Sequence, residues 1–280
     1  MTLLSPQAGL CNEIIPHEAS STQAITILVT DSRRLVAYEL NQPINIASST
    51  TSLVLEQVKI PHTFKFASPE RINVLMQENR PFCATHRLKT AERERLYLFS
   101  QPLNIFLSRR LYQHKSAAPL PVNLLDEQGA VKQLADVFTV LKNKLIILPR
   151  GVAYPEGLAV QIGLIAEKNI YYREGGDLFQ IAVMLEKGRG DFVLEYPVDI
   201  WETYGDLAPL RSYPLGATEA FSHAHLMCND TVETRKLLAQ VNMGLSALYK
   251  DGRLLNAHLR WLPAADHQSF TQLFEKVFTK

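Results

Sequence analysis

Residues 90–102 (TAERERLYLFSQP) place a threonine and an arginine three positions apart, ahead of a Phe-Ser-x-Pro sequence. The guanidinium of Arg93 offers a planar fork of donors that matches a carboxylate two hydrogen bonds at a time and stays charged at physiological pH. Arg93 and Thr90 are therefore candidate ligand-binding residues. The competing interpretation is a solvated helix face, because Lys89, Arg93 and the acids between them have helical spacing. Spacing alone leaves both interpretations open.

The same segment resembles the T-x-x-R-(x5)-F-S-x-P signature of the family 3 extracellular solute-binding proteins, the soluble receptors that capture amino acids and similar solutes for bacterial ABC transporters. Two further landmarks follow in the family's order. They are Gly-Arg-Gly-Asp at residues 188–191, ahead of an apolar strand, and N-x-x-L-x-x-L-x-x-D-G at residues 242–252. Together with Thr30-Asp31 at the end of a first strand, they extend the resemblance over nearly the whole chain from Ala24.

The resemblance implies a type II periplasmic-binding-protein fold. This is an α/β fold of two lobes, each a mainly parallel sheet flanked by helices, joined by two hinge crossings. We expect the first lobe at residues 24–108 and 228–280, the second at 109–227, and an N-terminal extension at 1–23. A ligand is expected between the lobes, at the carboxyl ends of strands and the N-termini of helices.

The hydrophobic pattern predicts the elements that must position the candidate residues. Strands are predicted at 24–30, 63–67, 103–111, 144–148, 170–173 and 192–194, and helices at 48–57, from Pro69, at 131–141, at 157–167 and from Asp177. Ser68 before Pro69 supplies a cap and a first-turn proline for one of these helices. Strands that alternate with helices in this way favour mainly parallel sheets.

By resemblance, Arg93 holds the carboxylate of the ligand, and the second lobe contributes through the loop at residues 149–154. Glycine in that loop would let the backbone approach an anion closely. The competing interpretation of the loop is a surface turn, and a lone histidine such as His86 is often structural. The candidate ligand-binding residues are Arg93, Thr90, His86, Asp31, Arg150, Gly151, Tyr154, Glu195 and Tyr196.

Several positions depart from the family pattern. His86 and Leu88 stand seven and five positions before Arg93, where small hydroxyl or backbone contacts are common, and residues 32–34 (SRR) replace an expected aromatic. Tyr196 stands where receptors for polar amino acids place an aspartate for the ammonium group. Glu195 is adjacent but would face the other side of a continuing strand. These departures predict a ligand other than an ordinary α-amino acid bound in the usual way.

Composition excludes some classes of partner. The 280-residue chain has 29 Lys and Arg against 28 Asp and Glu, so it offers no basic field for a nucleic acid. Cys11, Cys83 and Cys228 are too few for a disulfide scaffold or a zinc site, and the histidines show no ligand spacing. We predict no metal and no cofactor. A Cys83–Cys228 bridge and buried free thiols both remain open.

A membrane-spanning helix requires about twenty consecutive apolar residues, and no run in this sequence approaches that length. Residues 1–21 lack a basic n-region and a full apolar core, so we identify no intact secretory signal. The resemblance nevertheless implies a periplasmic protein. A replaced leader and a protein that is not exported are both compatible with the sequence.

The leading hypothesis is a non-catalytic, monomeric solute-binding protein that holds a small carboxylate-bearing solute, with an ABC transporter permease or a sensor protein as its partner. An enzyme is the first alternative, because some dehydratases and cofactor-biosynthesis proteins use this two-lobe fold. The sequence lacks G-x-S-x-G, P-loop, G-x-G-x-x-G and H-E-x-x-H motifs, which weighs against it. The second alternative is a receptor-like protein that has lost its ligand and serves as an interaction surface.

Overall fold

The computed structural model describes residues 24–175, 180–205, 209–216, 218–262 and 264–278. The strands are β1 (Ile25–Val29), β2 (His62–Phe66), β3 (Phe82–Arg87), β4 (Leu98–Phe99), β5 (Asn104–Leu107), β6 (Arg110–His114), β7 (Ile146–Pro149), β8 (Ile170–Arg173), β9 (Phe192–Glu195), β10 (Leu210–Tyr213) and β11 (Phe221–Cys228). The helices are α1 (Ser32–Glu39), α2 (Ile46–Leu55), α3 (Pro69–Leu75), α4 (Ala91–Glu94), α5 (Leu134–Val140), α6 (Glu156–Gly163), α7 (Gln180–Glu186), α8 (Pro197–Tyr204), α9 (Val232–Leu248), α10 (Arg253–Leu259) and α11 (His267–Phe278).

The strands form two mixed sheets. In the first, the order is β2-β1-β3-β11-β4, with β5 also paired to β11; β1, β2 and β3 run parallel, and β11 is antiparallel to its neighbours. In the second, the order is β10-β6-β9-β7-β8, with β7 parallel to β8 and β9. Helices flank both sheets. The predicted α/β class is confirmed, with three adjacent parallel strands at one side of each sheet.

The chain passes from the first sheet to the second at Ser108 and Arg109. Here β5 ends and β6 begins, so the single strand predicted over 103–111 is broken in two. The chain returns between β10 and β11. Because β11 pairs with β5 through its first half and with β3 and β4 through its second, residues 221–227 lie in the first sheet and not in the second lobe, where the sequence analysis put them.

Capping side chains fix where helices begin, and they explain two differences from the predicted elements. The helix predicted from Ser48 begins at Ile46, because Asn45 and Ser48 form a capping box. Asp31 caps α1, a helix that the sequence analysis did not predict. Helix α8 was not predicted either. The predicted helix start at Asp177 lies outside the described residues, and α7 is described from Gln180.

The hydrophobic core of the first lobe extends into the C-terminal helices. Leu237 and Val241 of α9 and Phe274 of α11 are buried against the same cluster as Ile27 of β1. Separate buried clusters cover the two faces of the second sheet. Among the helices that the structure describes, none is both long and apolar enough to cross a membrane.

Cys83 of β3 and Cys228 of β11 form a disulfide. The two residues are direct partners in the antiparallel ladder, and both are fully buried. Of the two states left open by the sequence, the structure has the bridged one. Cys11 lies outside the described residues.

Candidate ligand-binding site

A small cavity of about 110 Å³ lies between the two sheets. Its wall is built from the carboxyl ends of β1, β3 and β9, the first turns of α1 and α8, and the crossing between β5 and β6. This is where open α/β sheets expose their loops and helix starts. The charged residues on the wall are Asp31, Arg33, Arg34, Arg87, Arg93, Arg109, Glu195, Asp199 and Glu202.

An outer groove of about 1120 Å³ continues from the cavity. The cavity and the groove share Leu88, Val152, Ala153 and His223 as lining residues. Thr90 and Tyr154 line the groove rather than the inner cavity. The inner cavity is therefore the charged end of a longer cleft.

Arg93 lies on the cavity wall. Thr90 caps the short helix α4 by accepting a 3.3 Å hydrogen bond from the Arg93 backbone N–H, and Arg93 Nη1 donates to the Leu88 carbonyl at 3.3 Å. Burial lowers the pKa of Arg93, and the charges of Tyr97 and Glu92 oppose this only in part. The cap thus holds Arg93 at the cleft, while the hydroxyl of Thr90 is used locally.

Arg87, at the end of β3, is the strongest feature of the wall and was missed by the sequence analysis. It is only 6% exposed, and its Nε and Nη2 atoms are buried with no hydrogen-bond partner among the described residues. Burial, together with the nearby positive charges of Arg93 and Arg34, lowers its pKa to about 9. The signal available in the sequence was an arginine that ends an otherwise uncharged strand.

A β-bulge precedes Arg87. The pairs His225–Arg87 and Met227–Ala84 are two residues apart on β11 but three apart on β3, so β3 carries one extra residue. His86 has a left-handed backbone with φ of +55°, which is uncommon outside glycine. Bulges of this kind re-aim side chains beside functional sites, and here Arg87 ends on the cavity wall.

His86 itself also lines the cavity. Its Nε2 lies 3.3 Å from Thr51 Oγ1, and its Nδ1 is buried without a partner in the described part of the chain. Burial and the charge of Arg34 hold the pKa of the imidazole well below its ordinary value. His86 is therefore a neutral wall residue with one unused ring nitrogen.

Asp31 is engaged with two arginines of α1. It accepts hydrogen bonds from the backbone N–H of Arg33 at 2.9 Å, from Arg33 Nη2 at 2.8 Å and from Arg34 Nε at 3.3 Å. Burial raises the pKa of Asp31, but the hydrogen bonds of Arg33 and the charge of Arg34 outweigh it, and the pKa lies below its ordinary value. Asp31 is an ionised partner of these arginines.

Arg109 occupies the second-lobe side of the cavity and was also missed. Its guanidinium carbon lies 4.2 Å from the ring centre of Tyr196 and 5.5 Å from that of Tyr154. Its Nη1 donates to the Leu194 carbonyl at 2.8 Å and lies 3.4 Å from Glu195 Oε2. The tyrosines, the carbonyl and the carboxylate thus enclose one buried cation.

Glu195 and Tyr196 both line the cavity, although the sequence analysis placed them on opposite faces of a strand. The reason is that β9 ends at Glu195, and Tyr196 is already the residue before helix α8. Burial raises the pKa of Glu195 to about 8, with the charge of Arg109 opposing this. Burial likewise raises the pKa of Tyr154, whose hydroxyl has no partner among the described residues.

Two acids of α8, Asp199 and Glu202, face the first lobe from one helical turn apart. Glu202 Oε2 accepts a 2.9 Å hydrogen bond from Asn45 Nδ2 of the first lobe. Burial raises the pKa of Glu202 to about 8, and it raises the pKa of Asp199 against the charges of Arg34 and Arg109. The sequence did carry a signal for this pair, because residues at i and i+3 share one face of a helix. The sequence analysis did not predict helix α8 and therefore missed the pair.

The structure does not bring Arg150 to the cleft. Its Nε pairs with Glu174 at 2.9 Å, its guanidinium lies over Tyr172, and its side chain is 53% exposed. Gly151, with φ of +75°, lies against the other lobe, where an added Cβ would stand 2.9 Å from the backbone nitrogen of Glu70. The turn at Gly151 directs the preceding side chain outward.

The lobes touch on more than one side of the cavity. Besides the Asn45–Glu202 bond and the approach of Gly151 to Glu70, the backbone N–H of Gly175 donates to Glu70 Oε1 at 3.2 Å. The two lobes therefore contact each other around the inner cavity. Within the described ranges, no group of three or more His, Cys, Asp or Glu residues is placed to hold a metal ion.

Solved structures of binding proteins share this fold. An ancestral arginine-binding protein bound to arginine has 13% sequence identity, with 86% of this chain and 98% of that one covered at a TM-score of 0.61. A putative L-cystine ABC transporter protein from Listeria monocytogenes has 17% identity, with 87% and 97% covered at 0.60. A histidine kinase sensor domain with similarity to periplasmic binding proteins has 16% identity, with 85% and 96% covered at 0.61.

These similarities confirm the predicted type II periplasmic-binding-protein fold. Sequence identities of this size show the fold and not the ligand. No family model and no curated protein matches the sequence.

Proposed function

We propose that this protein is a non-catalytic solute-binding protein that captures a small carboxylate-bearing solute between its two lobes. The observation that carries the proposal is Arg87, a buried guanidinium with unused donors that faces the cavity beside Arg93. An unpaired buried charge is strongly unfavourable unless a counter-charge arrives. A ligand carboxylate would be that counter-charge.

Arg87 and Arg93 would share the carboxylate. Arg93 keeps one guanidinium nitrogen on the Leu88 carbonyl, which fixes its orientation, and Arg87 has Nε and Nη2 unused. Two guanidinium groups on one wall would each offer N–H donors to a carboxylate. The original candidate Arg93 thus keeps its proposed role but shares it with a more buried neighbour.

The fold supports solute capture as the class of function. The similar solved structures are binding proteins and a sensor domain, which supports a non-catalytic role. We extend this to the present chain as a proposal, with an ABC transporter permease or a sensor protein as the partner that reads the closed form. Closure would be a hinge motion at the two crossings, with Asn45–Glu202 and Glu70–Gly175 as contacts made on closing.

A location outside the cytoplasm is supported by the cross-strand disulfide. Cys83 and Cys228 are fully buried in the first-lobe core, and such structural bridges form and persist in oxidising compartments. We therefore propose a periplasmic or extracellular protein, as the resemblance implies.

The proposal is tested by thermal denaturation against a panel of amino acids, organic acids, short peptides and polyamines. A ligand that binds only the folded protein raises the melting temperature by mass action. We expect a carboxylate-bearing member of the panel to do so, and Arg87→Ala and Arg93→Ala to abolish the rise.

Arg95→Ala is the matched control, because Arg95 belongs to the same segment but is exposed. A hit that survives Arg87→Ala with unchanged affinity would contradict the proposed site. A panel with no hit would favour the interaction-surface alternative, and turnover of a hit would favour an enzyme.

A further inference from the structure

The second-lobe half of the cavity is a complete compartment for a cation, and the chain's own Arg109 fills it. The guanidinium carbon stands 4.2 Å from the Tyr196 ring centre and 5.5 Å from that of Tyr154. A carbonyl oxygen at 2.8 Å and Glu195 Oε2 at 3.4 Å accept from the same nitrogen. Aromatic faces, a carbonyl and a carboxylate are the groups that recognise an organic cation.

Arg109 comes from the crossing between β5 and β6, where the two lobes are joined. Its side chain is only 9% exposed. Burial lowers the pKa of Arg109. The charges of Tyr196, Glu195 and Tyr154 raise it by more, so the pKa lies above its ordinary value. The guanidinium of Arg109 is therefore charged where it lies in the compartment.

Two of the other acids on the cavity wall have partners within the protein, and a third lies near two arginines. Asp31 is paired with Arg33 and Arg34, and Glu202 accepts from Asn45. The positive charges of Arg34 and Arg109 favour the ionised form of Asp199, against the effect of burial on its pKa. A cationic group on a ligand would therefore compete with Arg33 and Arg34 for Asp31 and with Asn45 for Glu202. Near Asp199 it would meet the positive charges of Arg34 and Arg109.

The first-lobe wall adds repulsion. Arg34, Arg87 and Arg93 all line the same small cavity, and a second cation brought among them would face like charges in a poorly solvated site. Selectivity of this kind arises from the penalty on the wrong ligand as much as from contacts to the right one.

We propose that Arg109 determines the specificity of the cleft: by occupying the cation compartment, it restricts the ligand to a small organic carboxylate without an ammonium or guanidinium group. The part of this inference that concerns a carboxylate ligand rests on the proposed function. The filled compartment itself can be tested without any knowledge of the natural ligand.

The first test is chemical rescue of Arg109→Ala. Removal of the guanidinium leaves Tyr154, Tyr196 and Glu195 around an empty volume, and methylguanidinium should refill it. We expect Arg109→Ala to gain melting temperature saturably with methylguanidinium at millimolar concentrations, while the unmodified protein gains none.

Arg110→Ala is the matched control, because Arg110 is the adjacent residue but is not part of the cavity wall. It should behave like the unmodified protein. Equal stabilisation of the unmodified protein and Arg109→Ala, or none of Arg109→Ala, would overturn the inference. If Arg109→Ala does not fold, the same titration is made with Arg109→Gln, which keeps an amide donor for the Leu194 carbonyl.

The second test is a ligand exchange, with succinate and L-arginine as probes. We expect the unmodified protein to bind succinate and not arginine, and Arg109→Ala to bind arginine at least about tenfold more tightly than the unmodified protein does, which is about 1.4 kcal/mol. Arginine bound equally by both proteins would refute the role of Arg109 and leave carboxylate capture intact.

The two proposals fail separately. If no carboxylate binds in a manner that depends on Arg87, the proposed function fails, and the methylguanidinium titration still decides whether Arg109 fills a cation compartment. If carboxylates bind through Arg87 but methylguanidinium rescues nothing, only the present inference fails.

Discussion

Asn45 Nδ2 donates a 2.9 Å hydrogen bond to Glu202 Oε2, and this bond joins the N-cap of a first-lobe helix to a helix of the second lobe. Glu202 is the acceptor, so the contact can survive protonation of the other carboxyl oxygen. Because burial of Glu202 at the contact between the lobes raises its pKa, the protonation of Glu202 and this contact are linked.

The stability of the protein should therefore depend on pH through Glu202. Burial raises its pKa from 4.5 to about 8 in the folded protein. Between these values the folded protein binds more protons than the unfolded chain, so its stability falls as pH rises. We expect the urea midpoint to decrease over this interval and Glu202→Gln, which keeps the acceptor but cannot ionise, to reduce the slope. Glu195, whose pKa burial also raises to about 8, should account for part of the slope that remains.

Glu186→Gln is the control for the pH experiment, because Glu186 is an acid of the same lobe whose partner is Tyr204 and not the cleft. It should retain the original pH dependence. An identical slope in the unmodified protein and in Glu202→Gln would show that Glu202 is ionised normally and does not act as described.

Replacement of Arg87 should separate stability from binding. Arg87→Met removes a buried charge that has no counter-ion among the described residues and keeps most of its volume. We expect the unliganded protein to gain about 1–4 kcal/mol, as when buried ionic groups are replaced by apolar ones. The response to a carboxylate ligand should be lost, as urea unfolding and calorimetric titration would show.

Arg95→Met serves as the matched exposed control and should change neither quantity. A destabilised Arg87→Met protein would mean that Arg87 has a structural partner, and the assignment of its unused donors to a ligand would then be wrong.

Gly151 should be needed for closure of the cleft. In Gly151→Ala the new Cβ would stand 2.9 Å from the Glu70 backbone nitrogen across the lobes, in a residue that also has φ of +75°. We expect ligand affinity to fall because the closed form is obstructed. Titration calorimetry measures the affinity, and small-angle scattering reports the more open average shape.

Gly188→Ala isolates the effect of the contact, because Gly188 has φ of +66° with nothing within 4 Å of the added Cβ. Both variants should lose about 1 kcal/mol of stability from backbone strain. Equal affinity in the two variants would show that the approach of Gly151 to Glu70 does not limit closure.

The Cys83–Cys228 bridge should contribute strongly to stability. It links residues 145 apart in sequence, and its removal in Cys83→Ala/Cys228→Ala should cost about 2–5 kcal/mol. Peptide mapping without reduction should recover the two cysteines in one linked species. Free thiols at both positions after native purification would contradict the bridge and the support that it gives to an oxidising compartment.

Local signals in the sequence accounted for much of the fold. The run that became β1 is β-branched and apolar, and Ser68-Pro69 set the start of α3 as expected. The motif arginine, Arg93, lies on the cavity wall with Thr90 as its cap. The strand and the helix start depend on residues within a few positions of one another, which is why spacing and capping chemistry predicted them. The place of Arg93 at the cleft was implied by the family resemblance.

Other features depend on contacts between distant parts of the chain. The bulge that turns Arg87 into the cavity exists only because β3 pairs with β11, and Arg109 is enclosed by tyrosines from two separate segments. Neither partner set could be read from the neighbours of these arginines in sequence. The same holds for Glu202, whose acceptor role needs Asn45 from the other lobe.

By itself, the sequence determined the kinds of element through periodicity and caps, and its resemblance to a known family implied the two-lobe class and one arginine of the cleft. The tertiary structure decided which charges are paired inside the protein and which have no partner among the described residues. That decision required the structure, because burial and ion pairing are set by groups that meet only when the two lobes are folded together.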